Sequence, residues 1–131
     1  PKLLREKASS PRLLVHNTAL MTAAYGNRRT FLLEDPELKG RLVESAVGAY
    51  LIARSFTDGF DLNWWREGSS EVDFVVSDEH QAIAIEVKSG RVKKTGGLTE
   101  FMLRFPHAQT LVVGSAGCSL QDFLLGRVPL L

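Results

Sequence analysis

The sequence has little of the features that mark several large classes of protein. Cys118 is its one cysteine, which excludes an internal disulfide, so we expect a reducing compartment and a cytoplasmic location. No apolar run approaches the roughly 18 residues that a membrane-spanning helix needs, and no signal peptide is visible. We therefore expect no membrane partner.

An excess of charge of one sign is also lacking. The 131 residues carry 16 Lys and Arg against 15 Asp and Glu, a net charge of +1. Any contact with nucleic acid must then come from a local basic patch. There is no Cys/His cluster with zinc-ligand spacing, no G-x4-G-K-[ST] phosphate-binding loop and no internal repeat, which argues against zinc-binding domains, P-loop enzymes and repeat proteins.

The most informative stretch runs from Glu71 to Lys88 and reads EVDFVVSDEHQAIAIEVK. Two segments in it alternate apolar and other residues with a period of two, which predicts two strands joined by a short polar turn. Opposed residues of an antiparallel pair share a face. The hairpin is therefore predicted to gather one apolar row: Val72, Phe74, Val76, Ile83, Ile85 and Val87.

That pairing places Asp73, Glu86 and Lys88 together on the other face, with Glu71 beside them. One register sets Asp73 opposite Glu86 and Glu71 opposite Lys88, and a shift of two residues makes the two acids diagonal neighbours. Two carboxylates about 4 Å apart repel by roughly 4 kcal/mol at an effective dielectric near 20. The lysine, a divalent cation or protonation of one acid can offset this repulsion. A solvated strand face with Lys88 as counter-ion is the simpler interpretation.

A helix is predicted from Asp35-Pro36 to about Arg54, with Asp35 as the N-cap. Its buried stripe is predicted from residues at three- and four-residue steps: Leu42, Val43, Ala46, Val47, Tyr50 and Leu51. Glu44 lies at the margin of this stripe. A solvent-facing glutamate is the usual explanation for such a position, and the alternative is a side chain that reaches across to a neighbouring sheet.

A strand is predicted from Phe60 to Glu67, which together with the hairpin makes a three-strand meander. Trp64 and Trp65 then point to opposite faces, so at most one of them belongs fully to the core. The other packs under a loop in the simpler interpretation and stacks on a nucleobase in the alternative.

The segment after Lys88 is a glycine-flanked loop with Arg91, Lys93 and Lys94 and no acid. It either holds phosphates near the acidic face or serves only as a solubilising loop.

A short helix over Leu98–Phe105 and a buried strand over Gln109–Gly114 follow this loop. The predicted order is thus α-β-β-β-α-β, an α/β fold with a mixed sheet flanked by helices. Because a helix connects the third strand to the last, the last strand is predicted to be parallel to the third and inside the sheet.

This order, with its acidic and basic residues, resembles the PD-(D/E)xK nuclease core, and the resemblance implies a restriction-endonuclease-like fold. The proline of the motif is replaced here by Val72. The residues that carry the resemblance are Glu44 on the helix, Asp73 on the second strand, and Glu86, Val87 and Lys88 on the third.

By this resemblance Asp73 and Glu86 are expected to bind Mg²⁺ or Mn²⁺, together with the backbone carbonyl of Val87. Lys88 is expected to orient or activate the attacking water, or to stabilise negative charge in the transition state. Glu44 is expected to be a further ligand or an acceptor beside the ligands. The resemblance thus implies Mg²⁺-dependent hydrolysis of DNA phosphodiester bonds, and the alternative is an inactive interaction or DNA-binding module.

More narrowly, the segments GRLVESAVGAYL, WWREGSSEVDFVV and AIAIEVKSG resemble a prokaryotic domain of unknown function that usually follows an AAA-type ATPase module. We therefore expect a single nuclease-like domain that forms the C-terminal part of a longer ATPase chain, with the ATPase module as a partner. Its parts are expected to be an N-terminal arm and short helix over 1–30, a core over 35–114 and a C-terminal tail over 115–131.

Overall fold

A computed structural model describes residues 34–89 and 96–131, together with Ala19 and Ala23. The arm and short helix predicted for residues 1–30 lie outside the described residues, except for Ala19 and Ala23, both of which are helical.

The first described helix, α1, spans Pro36–Asp58. Its start is as predicted, because the side chain of Asp35 accepts hydrogen bonds from two N–H groups of the first turn and Pro36 follows directly. The helix ends four residues beyond the predicted Arg54. Gly59 stops it in the left-handed conformation at φ 77°, and its N–H donates to a carbonyl of the last turn.

Three antiparallel strands follow as the predicted meander. Their bounds are β1 Asp61–Glu67, β2 Ser70–Ser77 and β3 Ala82–Lys88. The turn between β2 and β3 lacks an Asn-Gly pair, and the carboxylate of Asp78 organises it by accepting the N–H groups of His80 and Gln81 at 2.7 and 2.8 Å.

The second helix, α2, spans Gly96–Arg104, β4 spans Gln109–Gly114, and a short helix, α3, spans Leu120–Leu124. The described strands form one sheet in the order β1-β2-β3-β4, and β4 runs parallel to β3. The α/β class, the mixed sheet and the parallel last strand are therefore confirmed.

The position predicted for β4 is wrong. It lies at the edge of the described sheet, and of its residues Val113 alone is buried. On its outer side, Val113 forms an isolated β-bridge with Cys118. An apolar run flanked by turns indicates a strand, but it does not distinguish an edge from a centre.

The sheet is covered on both faces, so it has two apolar clusters. The cluster beneath α1 and α3 contains Val47, Leu51, Phe60, Phe74, Val76, Ile83, Ile85, Val113 and Phe123. The cluster beneath α2 contains Trp65, Val72, Val75, Ala82, Ala84, Phe101 and Ala108. Burial of both faces explains why the strands of the central hairpin are apolar almost throughout.

One member of the predicted apolar row lies on the wrong face. Val72 belongs to the α2 cluster, whereas Phe74 belongs to the α1 cluster. The cause is a register shift: Asn63 pairs with Val75 and Trp65 with Val72, so β2 advances by three residues where β1 advances by two. Such a bulge turns the following side chains to the other face. The hydrophobic pattern of β2 carries no sign of it.

The two tryptophans lie as predicted. Trp65 is buried and meets Phe101 edge to face with ring centroids 5.5 Å apart, whereas Trp64 is half-buried. Among the described residues, no helix combines the length and the apolar character needed to cross a membrane.

Candidate functional site

The candidate site begins where the backbone pairing of β2 and β3 ends. Phe74 pairs with Ile85 as the last pair of the β2–β3 ladder, and Asp73 lies next to it in the irregular stretch of β2 between Val72 and Val75. Here a side-chain hydrogen bond links the two strands in place of a backbone one: Asp73 Oδ2 accepts the N–H of Val87 at 2.8 Å. The pairs that do form have the predicted register, and Asp73 is buried just beyond the last of them.

Glu86 and Lys88 lie two residues apart on β3 and therefore on one side of the strand. Lys88 Nζ lies 3.4 Å from Glu86 Oε1, and the two side chains are 8% and 15% exposed. Glu86 Oε2 is buried and has no hydrogen-bond partner among the described residues. A contact of 3.4 Å is long for a charge-assisted hydrogen bond, so the lysine satisfies only part of this carboxylate.

The pKa of Glu86 is raised to about 7. Burial is the largest cause, the charge of Asp73 adds to it, and Lys88 opposes both. Glu71 adds a smaller upward contribution. Lys88 therefore offsets only part of the repulsion between the carboxylates of Asp73 and Glu86. A proton or a cation is needed to offset the rest.

The end of β4 holds Lys88 in place, which the sequence did not indicate. The carbonyl of Lys88 accepts the N–H of Ser115 at 3.0 Å. Gly114 has φ 107°, and a Cβ on it would lie 1.9 Å from that same carbonyl oxygen. A glycine directly after an apolar run is the signal that could have pointed to this close approach.

Glu44 lies on α1 and is half-buried. One turn earlier, a Cβ on Gly40 would lie 3.0 Å from Ser89 Oγ, so the start of α1 is close to the end of β3. The described residues contain no group of three His, Cys, Asp or Glu that could hold a metal ion. The structure therefore does not join Glu44 to Asp73 and Glu86 as a third ligand, and its role beside them stays a prediction.

The basic residues of the predicted phosphate loop, Arg91, Lys93 and Lys94, lie outside the described residues. Asp73, Glu86, Val87 and Lys88 lie at the end of the β2–β3 pair, where Asp73 contacts Val87 and Glu86 contacts Lys88. Their chemistry is that of two hard oxygen donors beside one compact positive charge, a combination suited to a divalent cation and to phosphate.

A cleft of about 410 Å³ lies between the C-terminal half of α1 and β1, and no sequence pattern predicted it. Phe56 and Trp64 contribute aromatic surface to its lining, and Asp73 also lines it. Phe56 is 85% exposed, which is unusual for a large apolar side chain. The cleft and the candidate site therefore share one residue, Asp73.

Comparison with known proteins finds a family match. Residues 39–122 match the model of a family described as Domain of unknown function (DUF4143). The match covers well over half of the chain and includes the candidate site, the cleft and all four described strands. No curated protein and no solved structure matches the chain.

Proposed function

The chain belongs to the family described as Domain of unknown function (DUF4143), and we propose that its site at Asp73, Glu86 and Lys88 hydrolyses DNA phosphodiester bonds with bound Mg²⁺ or Mn²⁺. The observation that carries this proposal is Glu86. It is a buried carboxylate beside a second acid, with one oxygen that no described residue satisfies. Such an arrangement is unfavourable unless a cation or a proton completes it.

The donor set fits a hard divalent cation. Asp73 and Glu86 would hold the ion through carboxylate oxygens and Val87 through its backbone carbonyl, and Mg²⁺ commonly keeps several waters in addition to one or two carboxylates. When bound, such an ion supplies charge stabilisation at phosphoryl oxygens and lowers the pKa of a water that it binds.

Lys88 supplies the positive charge of the proposed site. Its buried ammonium contacts Glu86 and its backbone is fixed by Ser115, so its charge is positioned before substrate arrives. A compact, preorganised charge of this kind stabilises the negative charge that develops on a phosphoryl group. The alternative role for this ammonium is to orient or activate the attacking water, which requires contact with the water instead of with the phosphoryl oxygens.

The test is cleavage of a DNA substrate by the wild-type protein and by Glu86→Gln and Lys88→Met, which keep the shape of the side chains. Cleavage is expected with millimolar Mg²⁺ or Mn²⁺ and not with a chelator, and each substitution should reduce the rate about 100-fold or more. Glu67→Gln is the matched control, because Glu67 is an exposed strand glutamate whose described ion-pair partner is Arg104.

Metal binding provides a second, independent measurement. Divalent ions should raise the Tm of the wild-type protein and of Glu67→Gln, but not that of Glu86→Gln. Equal cleavage in all variants, or an equal metal-dependent shift in Glu86→Gln, would contradict the proposal.

A second candidate is an inactive module that contacts an AAA-type ATPase in the same polypeptide. Two observations favour it: the net charge of +1, and the lack of a three-ligand metal group among the described residues. It predicts no specific binding of Mg²⁺ or Mn²⁺ at millimolar concentration, so the same metal titration separates the two candidates.

A further inference from the structure

Strand β1 lies at an edge of the described sheet, with β2 as its neighbour. An edge strand can pair with a further strand, and many proteins prevent this with a proline, a lysine or a bulge on the edge. The seven residues of β1, DLNWWRE, include neither proline nor lysine, and the residue added by the bulge lies on β2. β1 is therefore suited to strand addition, in which an extended segment continues the sheet.

The cleft of about 410 Å³ lies along this strand. Residues 61–64 all line it, together with Ile52 and Phe56 of α1. Because successive side chains of a strand point to opposite faces, a cleft lined by four consecutive residues also borders the backbone of the strand. Phe56 is 85% exposed although it lines this cleft. An exposed aromatic side chain, a cleft and a strand edge thus lie next to one another, as in a surface that a partner covers.

The sequence of β1 fits a second copy of itself. When two copies of β1 run antiparallel and Asn63 faces its counterpart, Leu62 of each copy faces Trp64 of the other. Both residues point to the α1 face, because Leu62 packs on the α1 cluster and Trp64 follows two residues later. This pairing opposes apolar residues on that face and sets no like charges against each other. A pairing centred on Trp64 would instead place Asp61 opposite Glu67 of the second copy, which is unfavourable.

The charges at the ends of β1 support the same pairing. Arg66 also points to the α1 face, and in this register it lies opposite Phe60 of the second copy, next to the end of α1. The last turn of α1 contains no basic residue, and a helix C-terminus favours a nearby cation. Arg54, from the preceding turn, pairs with Asp58, so the partial negative charge of the helix end is available to Arg66 of the second copy. The side chain of Arg66 donates a long hydrogen bond of 3.4 Å to the carbonyl of Gly68, which it can exchange for this contact.

We propose that two copies of this chain associate through β1, with the strands antiparallel and with the cleft and Phe56 of each copy covered by the other. The interface uses the same surface on both copies, so it closes into a dimer about a two-fold axis. It joins two four-stranded sheets into one continuous sheet. The inference does not depend on the proposed hydrolysis, because neither Glu86 nor Lys88 lines the cleft.

Sedimentation velocity of the 131-residue chain tests the association. The wild-type protein should change from monomer to dimer as its concentration rises from about 1 to 100 μM. Phe56→Lys should raise the Kd of the dimer about tenfold or more, because it places a charge where an apolar side chain is buried. Leu103→Lys is the matched control and should leave the Kd unchanged, since Leu103 is 72% exposed on α2 and does not line the cleft. Both positions lie in the last turn of a helix, where a cation is favourable, so neither substitution should unfold the protein.

Disulfide cross-linking tests the pairing of the strands. In a Cys118→Ser background, Asn63→Cys should form a disulfide between two copies when a mild oxidant is added. Directly opposed residues of an antiparallel pair have Cα atoms about 4.5 to 5.5 Å apart, which is within the range of a disulfide. Glu67→Cys in the same background is the matched control. Residue 67 is also exposed on β1 but lies at its end, far from its counterpart, so this variant should cross-link much more slowly.

A protein that remains monomeric up to about 100 μM would overturn the inference and would leave an extended segment of a different protein as the partner of β1. Dimerisation that Phe56→Lys does not weaken would also overturn it, because the interface would then lie elsewhere. Faster cross-linking at residue 67 than at residue 63 would contradict the antiparallel pairing about Asn63.

Discussion

Among single residues, Glu86 has the most unusual surroundings in the described part of the chain. It stands on a strand that the sequence predicts, beside an acid and a lysine that the sequence also places there. The extent of its burial decides its chemistry, because burial is the largest cause of its raised pKa. A solvated glutamate with the same neighbours would be satisfied by water and would need no further ligand.

The raised pKa makes stability depend on pH in a defined direction. The pKa of Glu86 is about 7 in the folded protein against 4.5 for an ordinary glutamate, so the folded state keeps a proton that the unfolded chain releases. The contribution to the free energy of unfolding is then fully present below about pH 4.5 and is lost as the pH rises through 7. Its size is at most about 3 kcal/mol.

Glu86→Gln should remove this contribution, since glutamine does not titrate. In urea titrations from about pH 5 to about pH 8, the stability of the wild-type protein relative to that of the variant should fall as the pH rises. Two pH profiles that remain parallel would show that Glu86 is ionised throughout this range in the folded protein.

At the scale of elements, α2 packs closely on β2 and covers one face of the sheet. Gly97, in the first turn of α2, lies so close to β2 that a Cβ on it would be 1.8 Å from the carbonyl oxygen of Glu71. Further along α2, Phe101 is buried against Trp65. The missing side chain at Gly97 thus allows the helix to pack its aromatic residue on the sheet.

Gly97→Ala should destabilise the protein by about 2 to 3 kcal/mol, because the added methyl group meets backbone atoms that no side-chain rotation can move. Gly96→Ala is the control, since a Cβ on Gly96 meets nothing within 4 Å, and it should be neutral or slightly stabilising. Thermal unfolding of the two variants measures the difference, and equal Tm values would show that α2 adjusts freely on β2.

At the scale of the whole molecule, the residues after β4 complete the core beneath α1. Phe123 of α3 is fully buried and meets Tyr50 edge to face with ring centroids 5.1 Å apart. Leu120, Leu124, Val128, Leu130 and Leu131 also pack on this cluster. The segment predicted as a tail therefore contributes to the hydrophobic core.

Phe123→Ala should lower the free energy of unfolding by about 3 to 5 kcal/mol, because it leaves a cavity between α1 and the sheet. Leu125→Ala, two residues later and 57% exposed, should change it by less than about 0.5 kcal/mol. Urea denaturation compares the two. A small effect of Phe123→Ala would indicate that α3 is detached from the core in solution.

Local patterns in the chain were sufficient to predict much of this protein. Asp35 and Pro36 mark the start of α1, the alternation from Glu71 to Lys88 predicts the hairpin and its register, and the connecting helix predicts a parallel β4. These features depend on backbone geometry and on neighbours a few residues apart, which a linear pattern records. The same alternation places Glu86 and Lys88 on one side of β3. Asp73 instead lies where the bulge breaks the alternation of β2, and it contacts β3 through the N–H of Val87.

Other features arise from contacts between distant segments, and the chain carries no local sign of them. The bulge that moves Val72 to the α2 face depends on how β1 pairs with β2, and the edge position of β4 depends on the absence of a further strand among those described. The pKa of Glu86 depends on the burial of its carboxylate and on the charge of Asp73, and the cleft beside Phe56 forms between residues of α1 and residues of the sheet. Spacing along a strand can bring charges together, but how strongly they act depends on the packing of the whole molecule.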